Sequence, residues 1–168
     1  RVTGLELLRD GQLERVECDR VVLAAGAVAT PGILMRSGIG PREVLDPLGI
    51  DVVKEAPVGV GLLDHPGAAV IFAPEPGANH PSQPDIQCTM RYTPEGGKRD
   101  EMQLQPVSVV RLPGVPLVFA FTVVVGKTAS EGWLRIHSTD PRAKPHIEAK
   151  LGEHARDRDK IREGLALG

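Results

Sequence analysis

Apolar and polar residues alternate in two short segments at the start of the chain, and the pair Asp10-Gly11 separates them. An Asp-Gly pair between apolar runs favours a two-residue turn, so residues 1–19 predict a β-hairpin. The next segment, RVVLAAGA at residues 20–27, is almost continuously apolar and contains β-branched residues. This pattern is typical of a strand that is buried on both faces in a parallel sheet. Such a strand needs a neighbour on each side, and the sequence predicts no second strand of the parallel type.

Two short helices are predicted between residues 30 and 49. Thr30 is expected to cap the first helix with its hydroxyl, and Pro31 is expected to occupy the first helical position. Gly38 is the expected left-handed residue after that helix. Pro41 opens the second helix, which has one apolar face and ends at Gly49.

The remainder of the chain predicts an antiparallel sheet and a final helix. A connection rich in glycine and proline occupies residues 56–67. The runs that follow it are typical of antiparallel strands: AAVIFA, DIQCTMR, MQLQPVSVV, PLVFAFTVVV, WLRIHS and PHIEA. From about Gly152 the sequence predicts a helix with Ile161 and Leu165 turned inward. The alternating charges of EHARDRDK, at residues 153–160, favour a solvated helix face.

Length and charge narrow the classes of function. With 168 residues, 41% of them apolar, the chain is long enough for one ordinary domain or for two incomplete ones. The net charge is −2 and no block of lysine or arginine stands out, which argues against a nucleic-acid partner. No run of about eighteen apolar residues is present, so a membrane span is not expected.

Cysteine and histidine spacing argues against metal chemistry. The two cysteines, Cys18 and Cys88, form no CxxC spacing and favour unpaired thiols over a disulfide framework or a metal centre. No two histidines are three or four residues apart, which excludes a helical pair of metal ligands. The sequence therefore predicts no metal site and a cytoplasmic protein.

One stretch of the chain carries a family resemblance. Residues 25–41, AGAVATPGILMRSGIGP, combine glycines, prolines and aliphatic residues in an order that resembles the second signature of the glucose–methanol–choline (GMC) flavin oxidoreductases. Three neighbouring stretches resemble the same family in the expected order: VVLAAGA before the signature, and LDPLGIDVVKEAPVG and LLDHP after it. Residues 132–151, GWLRIHSTDPRAKPHIEAKL, resemble the return of the family's chain into the substrate domain.

The resemblance implies an α+β chain made of two partial domains. Residues 1–49 would form part of an FAD-binding α/β domain, and residues 50–168 part of an antiparallel β-sheet substrate-binding domain with helices. It implies FAD as the cofactor and a small-molecule alcohol as the substrate, whose CH–OH group is oxidised by hydride transfer to the flavin. The family's Gly-x-Gly-x-x-Gly phosphate loop and its catalytic histidine do not occur in this sequence. We therefore expect an internal fragment without catalytic residues, which is inactive alone and has the remainder of the parent enzyme as its partner.

The resemblance also assigns residues to the cofactor site. The assigned residues are Ala25, Gly26, Ala27, Thr30, Pro31, Asp64 and His65. Residues 25–27 would leave the backbone bare where a cofactor approaches, and the helix after them would direct its free amides to the same crevice. Turn geometry alone also explains a glycine at such positions, and His65 is also explained as a hydrogen-bonded residue in a turn.

Several positions depart from the family's pattern. Gly61 stands where the family commonly has an asparagine. Pro66 and Gly67 follow Asp64-His65, where the choline-oxidising branch has a glutamate. Aromatic residues make up only 3% of the chain, too few for a cage around a quaternary ammonium group. The sequence therefore does not favour choline as the substrate.

Alternatives to this interpretation stay open. A non-catalytic, stand-alone binding or scaffold domain would keep the sheet and lose the chemistry. A NAD-dependent dehydrogenase is disfavoured, because the glycine-rich dinucleotide fingerprint is absent. The strand face that Trp133, Arg135 and His137 share would either line a substrate cavity or face solvent.

Overall fold

The computed structural model describes residues 2–75, 77–78, 80–111, 113–114 and 116–168. The chain divides into two compact units, each built from two separate stretches of sequence. Unit 1 contains Arg1–Leu62 and Trp133–Glu148, and unit 2 contains Leu63–Gly132 and Ala149–Gly168. The predicted domain division after residue 49 refers to a whole enzyme and stays a prediction, whereas the units of this chain divide after Leu62.

The predicted hairpin opens unit 1. Strand β1 (Gly4–Arg9) pairs antiparallel with β2 (Gln12–Glu17). Both turn residues have left-handed φ angles, 50° at Asp10 and 79° at Gly11. Aspartate and glycine tolerate this geometry, which a two-residue hairpin turn requires, so the prediction is confirmed.

The predicted buried strand at residues 20–27 is not formed. Residues 20–24 have no regular secondary structure, and Val22 is 90% exposed. No strand in the described part of the chain pairs with this segment. A doubly buried strand forms only where neighbours satisfy its backbone and cover its side chains, and such neighbours are missing from the described residues. The strand prediction was therefore wrong for this structure.

Helix α1 (Gly26–Arg36) begins five residues before its predicted first residue. Thr30 and Pro31 lie inside it, so the prediction that they cap and open the helix was wrong. Gly26 can begin the helix because it adopts a φ of 82°, which residues with a side chain avoid. Pro31 has no N–H to donate to the carbonyl of Ala27, which weakens the hydrogen bonding of the first turn.

The end of α1 and the helix after it agree with the sequence. Gly38 has a φ of 79° and closes α1 in the left-handed conformation, as predicted. Pro41 precedes the short helix α2 (Arg42–Leu45). A 3₁₀ turn (Asp46–Leu48) follows and ends at Gly49, whose φ is 67°.

Unit 1 has a small apolar core and, besides the hairpin, one pair of short strands and one three-stranded sheet. Strands are numbered along the chain. Met35, Leu45 and Leu134 are at most 1% exposed and pack together. The strands are β3 (Ile39–Gly40), parallel to β4 (Lys54–Glu55), and the sheet of β5 (Val60–Leu62), β10 (Gly132–Arg135) and β11 (His146–Glu148). The last two predicted strands therefore form, but in a sheet of unit 1.

Unit 2 contains a four-stranded antiparallel sheet. Its strands are β6 (Gly67–Phe72), β7 (Met90–Tyr92), β8 (Met102–Val110) and β9 (Val118–Val125), in the spatial order β6, β9, β8, β7. Three of these strands match predicted runs closely. The strand predicted for DIQCTMR is shorter than expected, because only the end of this run enters β7. Earlier in the run, Ile86 makes a single bridge to Val107.

Helix α3 (Ala155–Leu167) covers one face of this sheet. Ile161 and Leu165 pack, as predicted, against a core of buried sheet residues: Met102, Leu104, Val123 and Val125. The prediction of a solvated face at residues 153–160 was wrong in part, because Asp157 is 0% and Lys160 5% exposed. Few helices and mainly antiparallel sheets confirm the predicted α+β class.

Candidate functional site

The first turn of α1 is exposed and carries only small side chains. Ala25, Gly26 and Ala27 are all exposed, as are the two residues after them. A Cβ atom added at Gly26 would meet no described atom within 4 Å. The first N–H groups of a helix have no partner within it and carry a partial positive charge. A hydrogen-bonding or anionic group can therefore approach this backbone closely.

Thr30 holds this turn together from inside the helix. Its Oγ1 accepts a hydrogen bond of 3.1 Å from the backbone N–H of Ala25. The bond fixes Ala25 against the first turn, and Pro31 follows directly as a half-buried residue. The structure thus brings five of the seven predicted site residues into one surface segment, residues 25–31, which we call the bare turn.

The bare turn fits one portion of a dinucleotide cofactor. Its residues offer backbone amides, an open position beside Gly26 and no side chain longer than that of valine before Pro31. These features suit close contact with a ring or a phosphate. The bare turn does not enclose a ligand by itself.

A cleft of about 1270 Å³ also lies in unit 1. Its walls are the β1–β2 hairpin, the side of α1 that carries Gly32 and Arg36, and residues 139–145. Arg36 donates a hydrogen bond of 3.2 Å to the carbonyl of Ala143, whereas its buried Nε has no partner among the described atoms. The volume exceeds the roughly 300–1,000 Å³ that is usual for a small-molecule site.

The other two predicted site residues, Asp64 and His65, belong to unit 2 and are exposed. The backbone N–H of His65 donates a hydrogen bond of 2.8 Å to Oδ1 of Asp64. His65 lines a cavity of about 90 Å³ together with Arg91, Gln103 and Lys127. No described residue forms a hydrogen bond with the His65 ring. The ring is therefore free to meet a ligand.

A buried ion pair borders the same cavity. Glu101 is fully buried, and its carboxylate accepts hydrogen bonds from Nζ of Lys160 and from the backbone N–H of Lys98, with Arg156 at 3.5 Å. Burial raises the pKa of Glu101, but the bonds from Lys160 and Lys98 and the charges of Lys160 and Arg156 outweigh it. The pKa therefore lies below its ordinary value. Glu101 is ionised and neutralised inside unit 2, which does not suit a general base.

Asp157 of α3 forms hydrogen bonds with a loop of unit 2, residues 128–130. Its carboxylate accepts hydrogen bonds from the N–H groups of Ala129 (2.9 Å) and Ser130 (2.8 Å). The hydroxyls of Thr128 (2.7 Å) and Ser130 (2.6 Å) donate to it as well. Burial raises the pKa of Asp157, but these hydrogen bonds more than offset that effect and lower it to about 2.

Sequence reasoning missed both buried carboxylates. Charged residues at alternating positions suggested solvent exposure. The residues next to a carboxylate in the sequence do not show whether it is buried. One signal was available: Asp157, Lys160, Ile161 and Gly164 follow the i, i+3, i+4, i+7 spacing of a single helix face. That spacing places the two charges on the same side as the apolar residue Ile161.

The predicted face of Trp133, Arg135 and His137 is engaged with its own neighbours. The guanidinium of Arg135 lies 4.9 Å from the centre of the Trp133 ring, and His146 meets the ring edge-on at 4.9 Å. Arg135 also lies 3.7 Å from Glu43. These contacts, with His137 exposed, support the interpretation as a solvent-facing strand.

Comparison with known proteins identifies the family. Residues 1–67 match the sequence model of the family described as GMC oxidoreductase. Over residues 1–67 the chain is similar to the GMC oxidoreductases. This confirms the resemblance seen in the sequence, and FAD is the cofactor of this family. The match includes the bare turn as well as Asp64 and His65.

Two curated relatives and one solved structure illustrate the similarity. The chain is 30% identical to the 5-(hydroxymethyl)furfural oxidase of a Methylovorus species, over 99% of this chain and 32% of that protein. It is also 30% identical to an oxygen-dependent choline dehydrogenase of Sinorhizobium fredii, over 99% of this chain and 36% of that protein. A formate oxidase of Aspergillus oryzae, solved for its FAD modification, has a TM-score of 0.84 at 20% identity, over 98% of this chain and 39% of that one.

These comparisons cover part of each relative. The chain spans about a third of the length of the curated relatives that it matches. The likeness to the formate oxidase shows that this portion of the two proteins shares one fold. None of the helices in the described ranges has the length and apolar character that crossing a membrane requires.

Proposed function

We propose that the chain supplies part of the FAD site and the substrate-binding sheet of a GMC enzyme that oxidises the CH–OH group of a small alcohol. When bound, FAD supplies the redox chemistry by accepting the hydride that leaves the alcohol carbon. The residues of this chain hold and orient the reactants. The bare turn binds one portion of the cofactor through its free amides, and the sheet of unit 2 presents the alcohol.

The observation that carries this proposal is the bare turn itself. Residues 25–27 are exposed, and the space beside Gly26 is open in the described structure. An exposed first turn without polar side chains has no evident role in the stability of unit 1. Contact with a bound group gives these residues a function. Asp64 and His65 complete the proposed cofactor residues, and the free ring of His65 supports their inclusion.

Two features of unit 1 support a partner in the form of further polypeptide. The apolar residues 21–24 lack a strand partner among the described residues, although their sequence is typical of a buried strand. The cleft beside α1 is larger than a small ligand needs, and Arg36, whose buried Nε has no described partner, is one of its lining residues. We infer that the remainder of a longer GMC enzyme pairs with this segment and fills the cleft. A cytoplasmic location stays a prediction.

The cofactor site is tested by titrating the purified chain with FAD and following the backbone amides by ¹⁵N NMR. We expect shifts that are concentrated at residues 25–30, because the exposed amides of the bare turn approach the ligand. Ala27→Glu should abolish these shifts, since it adds bulk and a negative charge in front of the phosphates. The matched control is Ala78→Glu, the same change at an exposed alanine of unit 2.

The outcome separates the proposal from its alternative. Shifts at residues 25–30 that Ala27→Glu removes and Ala78→Glu preserves support a cofactor contact. If FAD shifts no amide of the bare turn at millimolar concentration, the turn is not a cofactor site. The stand-alone scaffold domain then becomes the better account.

The isolated chain is expected to be inactive even where it contacts FAD. Glu101 is neutralised by Lys160, and the sequence lacks the family's phosphate loop and catalytic histidine. Alcohol-dependent reduction of a dye, measured on the purified chain with added FAD, should not exceed the rate with FAD alone. Robust turnover would show that residues 1–168 contain a catalytic base that we have not recognised.

A further inference from the structure

The four-stranded sheet of unit 2 has one face that α3 does not cover. Tyr92 and Met102 point into the core beneath α3. Side chains alternate along a strand, so Arg91 and Gln103 point to the opposite side, which we call the open face. The register arranges its residues in three rows: Gly67, Val124, Gln103 and Arg91; then Ala69, Thr122 and Gln105; then Ile71, Ala120 and Val107.

The rows of the open face differ in chemistry. The first row ends in a guanidinium and an amide, and the second contains the hydroxyl of Thr122 beside the amide of Gln105. The third row is entirely aliphatic, and its Ile71 is 56% exposed. Adjacent rows are two residues apart, or about 7 Å along the strands. Polarity therefore falls from one end of the open face to the other over about 13 Å.

The polar end of the open face carries a cation, Arg91, that forms no ion pair among the described residues. Arg91 makes one hydrogen bond among the described residues, of 3.4 Å to Oε1 of Gln103, and no ion pair. The nearby carboxylates of Asp100 and Glu101 form ion pairs with other residues. Glu101 is bound by Lys160 and Arg156, and Asp100 lies 3.3 Å from Arg99.

Lys127 adds to this charge. It lines the same cavity as Arg91, and its Nζ donates a hydrogen bond of 2.6 Å to the backbone carbonyl of Arg99. A carbonyl satisfies one N–H of the ammonium group and leaves its charge intact. The cavity thus presents two cations that form no described ion pair, beside Asp100 and Glu101, whose carboxylates pair with other residues.

We propose that the open face binds the alcohol substrate, and that this substrate carries a carboxylate at one end and an aliphatic body. The carboxylate pairs with Arg91 and accepts a hydrogen bond from the amide of Gln103, and the hydrocarbon lies along the third row. The term substrate rests on the proposed oxidoreductase function, whereas the binding itself needs no flavin. The charge of Arg91 also repels a quaternary ammonium, which argues against choline.

Three water-soluble probes of equal length test this assignment on the intact chain without FAD. They are 6-hydroxyhexanoate, the uncharged hexane-1,6-diol and the cationic 6-aminohexan-1-ol. We expect 6-hydroxyhexanoate to shift the amides of the open-face rows and to bind roughly tenfold more tightly than the diol, because a guanidinium–carboxylate pair is charge-assisted. The cationic probe should bind more weakly than the diol.

A variant and a matched control locate the charge. Arg91→Met should reduce the affinity for 6-hydroxyhexanoate to the affinity for the diol. The affinity for the diol should stay the same. Arg162→Met is the control, because Arg162 is an exposed arginine of α3, on the helix that covers the other face. Raising the salt concentration should weaken the binding of 6-hydroxyhexanoate but not that of the diol. This comparison tests the charge on the unaltered chain.

The outcomes are separable from those of the FAD experiment. Equal affinity for the acid and the diol, shifts away from the open face, or no shifts at tens of millimolar would each overturn the carboxylate assignment. None of these results bears on the bare turn, because FAD is absent. Conversely, loss of FAD contacts with retained acid binding would leave a carboxylate-binding face on a protein with another function.

Discussion

At Asp157 a single carboxylate accepts hydrogen bonds from two backbone amides and two hydroxyls of residues 128–130. Its pKa of about 2, against an ordinary value of 3.8, links the stability of unit 2 to pH. A lowered folded-state pKa stabilises the fold above the unfolded value and loses that contribution as the pH falls towards the folded value. The contribution of Asp157 is thus complete above about pH 4 and fades between pH 4 and pH 2.

Asp157→Asn is expected to lower the free energy of unfolding at pH 7 by about 2 kcal/mol, because a shift of nearly two pKa units has that value. Urea unfolding at pH 7 and pH 3 measures it, and the variant should lose less stability between the two pH values than the natural sequence. Asp159→Asn, an exposed position on the same helix, serves as the control. Parallel pH profiles of the natural chain and Asp157→Asn would contradict the assignment.

At the scale of elements, α3 lies close against the sheet at Gly164. A Cβ atom there would overlap the side chain of Val123 and lie 3.2 Å from the hydroxyl of Tyr92. That hydroxyl is buried without a described partner, and burial, followed by the charge of Glu163, raises the pKa of Tyr92. Glycine at position 164 is therefore a packing requirement inside a helix that would otherwise favour alanine.

Gly164→Ala is expected to destabilise the chain by about 1–3 kcal/mol, because overpacking outweighs the gain of about 1 kcal/mol in helix propensity. In a Val123→Ala background the same change should cost less than about 1 kcal/mol, since the overlapping methyl groups are gone. A double-mutant cycle by urea denaturation measures the difference. An unchanged cost in that background would mean that contact with Val123 does not explain the glycine.

The elements that depend on local signals were predictable, and those that depend on partners were not. The Asp10-Gly11 turn and Gly38 were correct because turn chemistry acts within a few residues. The strand at residues 20–27 failed because a doubly buried strand depends on neighbours, and no described strand pairs with this segment. Of the candidate site, the sequence located the bare turn through the GMC signature, but it revealed neither the buried state of Asp157 nor the polarity gradient of the open face. Those features arise from registers and depths that are set across the sheet.

At the scale of the whole molecule, residues 21–24 form an apolar surface segment without regular structure. Backbone that makes no ladder hydrogen bonds opens readily to a protease. Val22, at 90% exposure, is the most exposed large apolar side chain in the described chain.

Limited digestion with elastase, which cleaves after small aliphatic residues, should cut early within residues 21–25. Mass spectrometry of the products locates the cut. The run Val123–Val125 offers the same chemistry in the buried sheet and is the internal control. An intact segment after Val123–Val125 has been cut would show that residues 20–24 are protected by pairing in solution.

Each unit is assembled from two stretches that are far apart in the sequence. Unit 1 cannot close until Glu148 has been synthesised, and unit 2 cannot close until α3 has followed it. The two units therefore become complete one soon after the other during synthesis, and no single truncation yields either one intact. Anyone wishing to study the sheet by itself would have to splice Gly132 directly to Ala149, excising the intervening passage that completes the other unit.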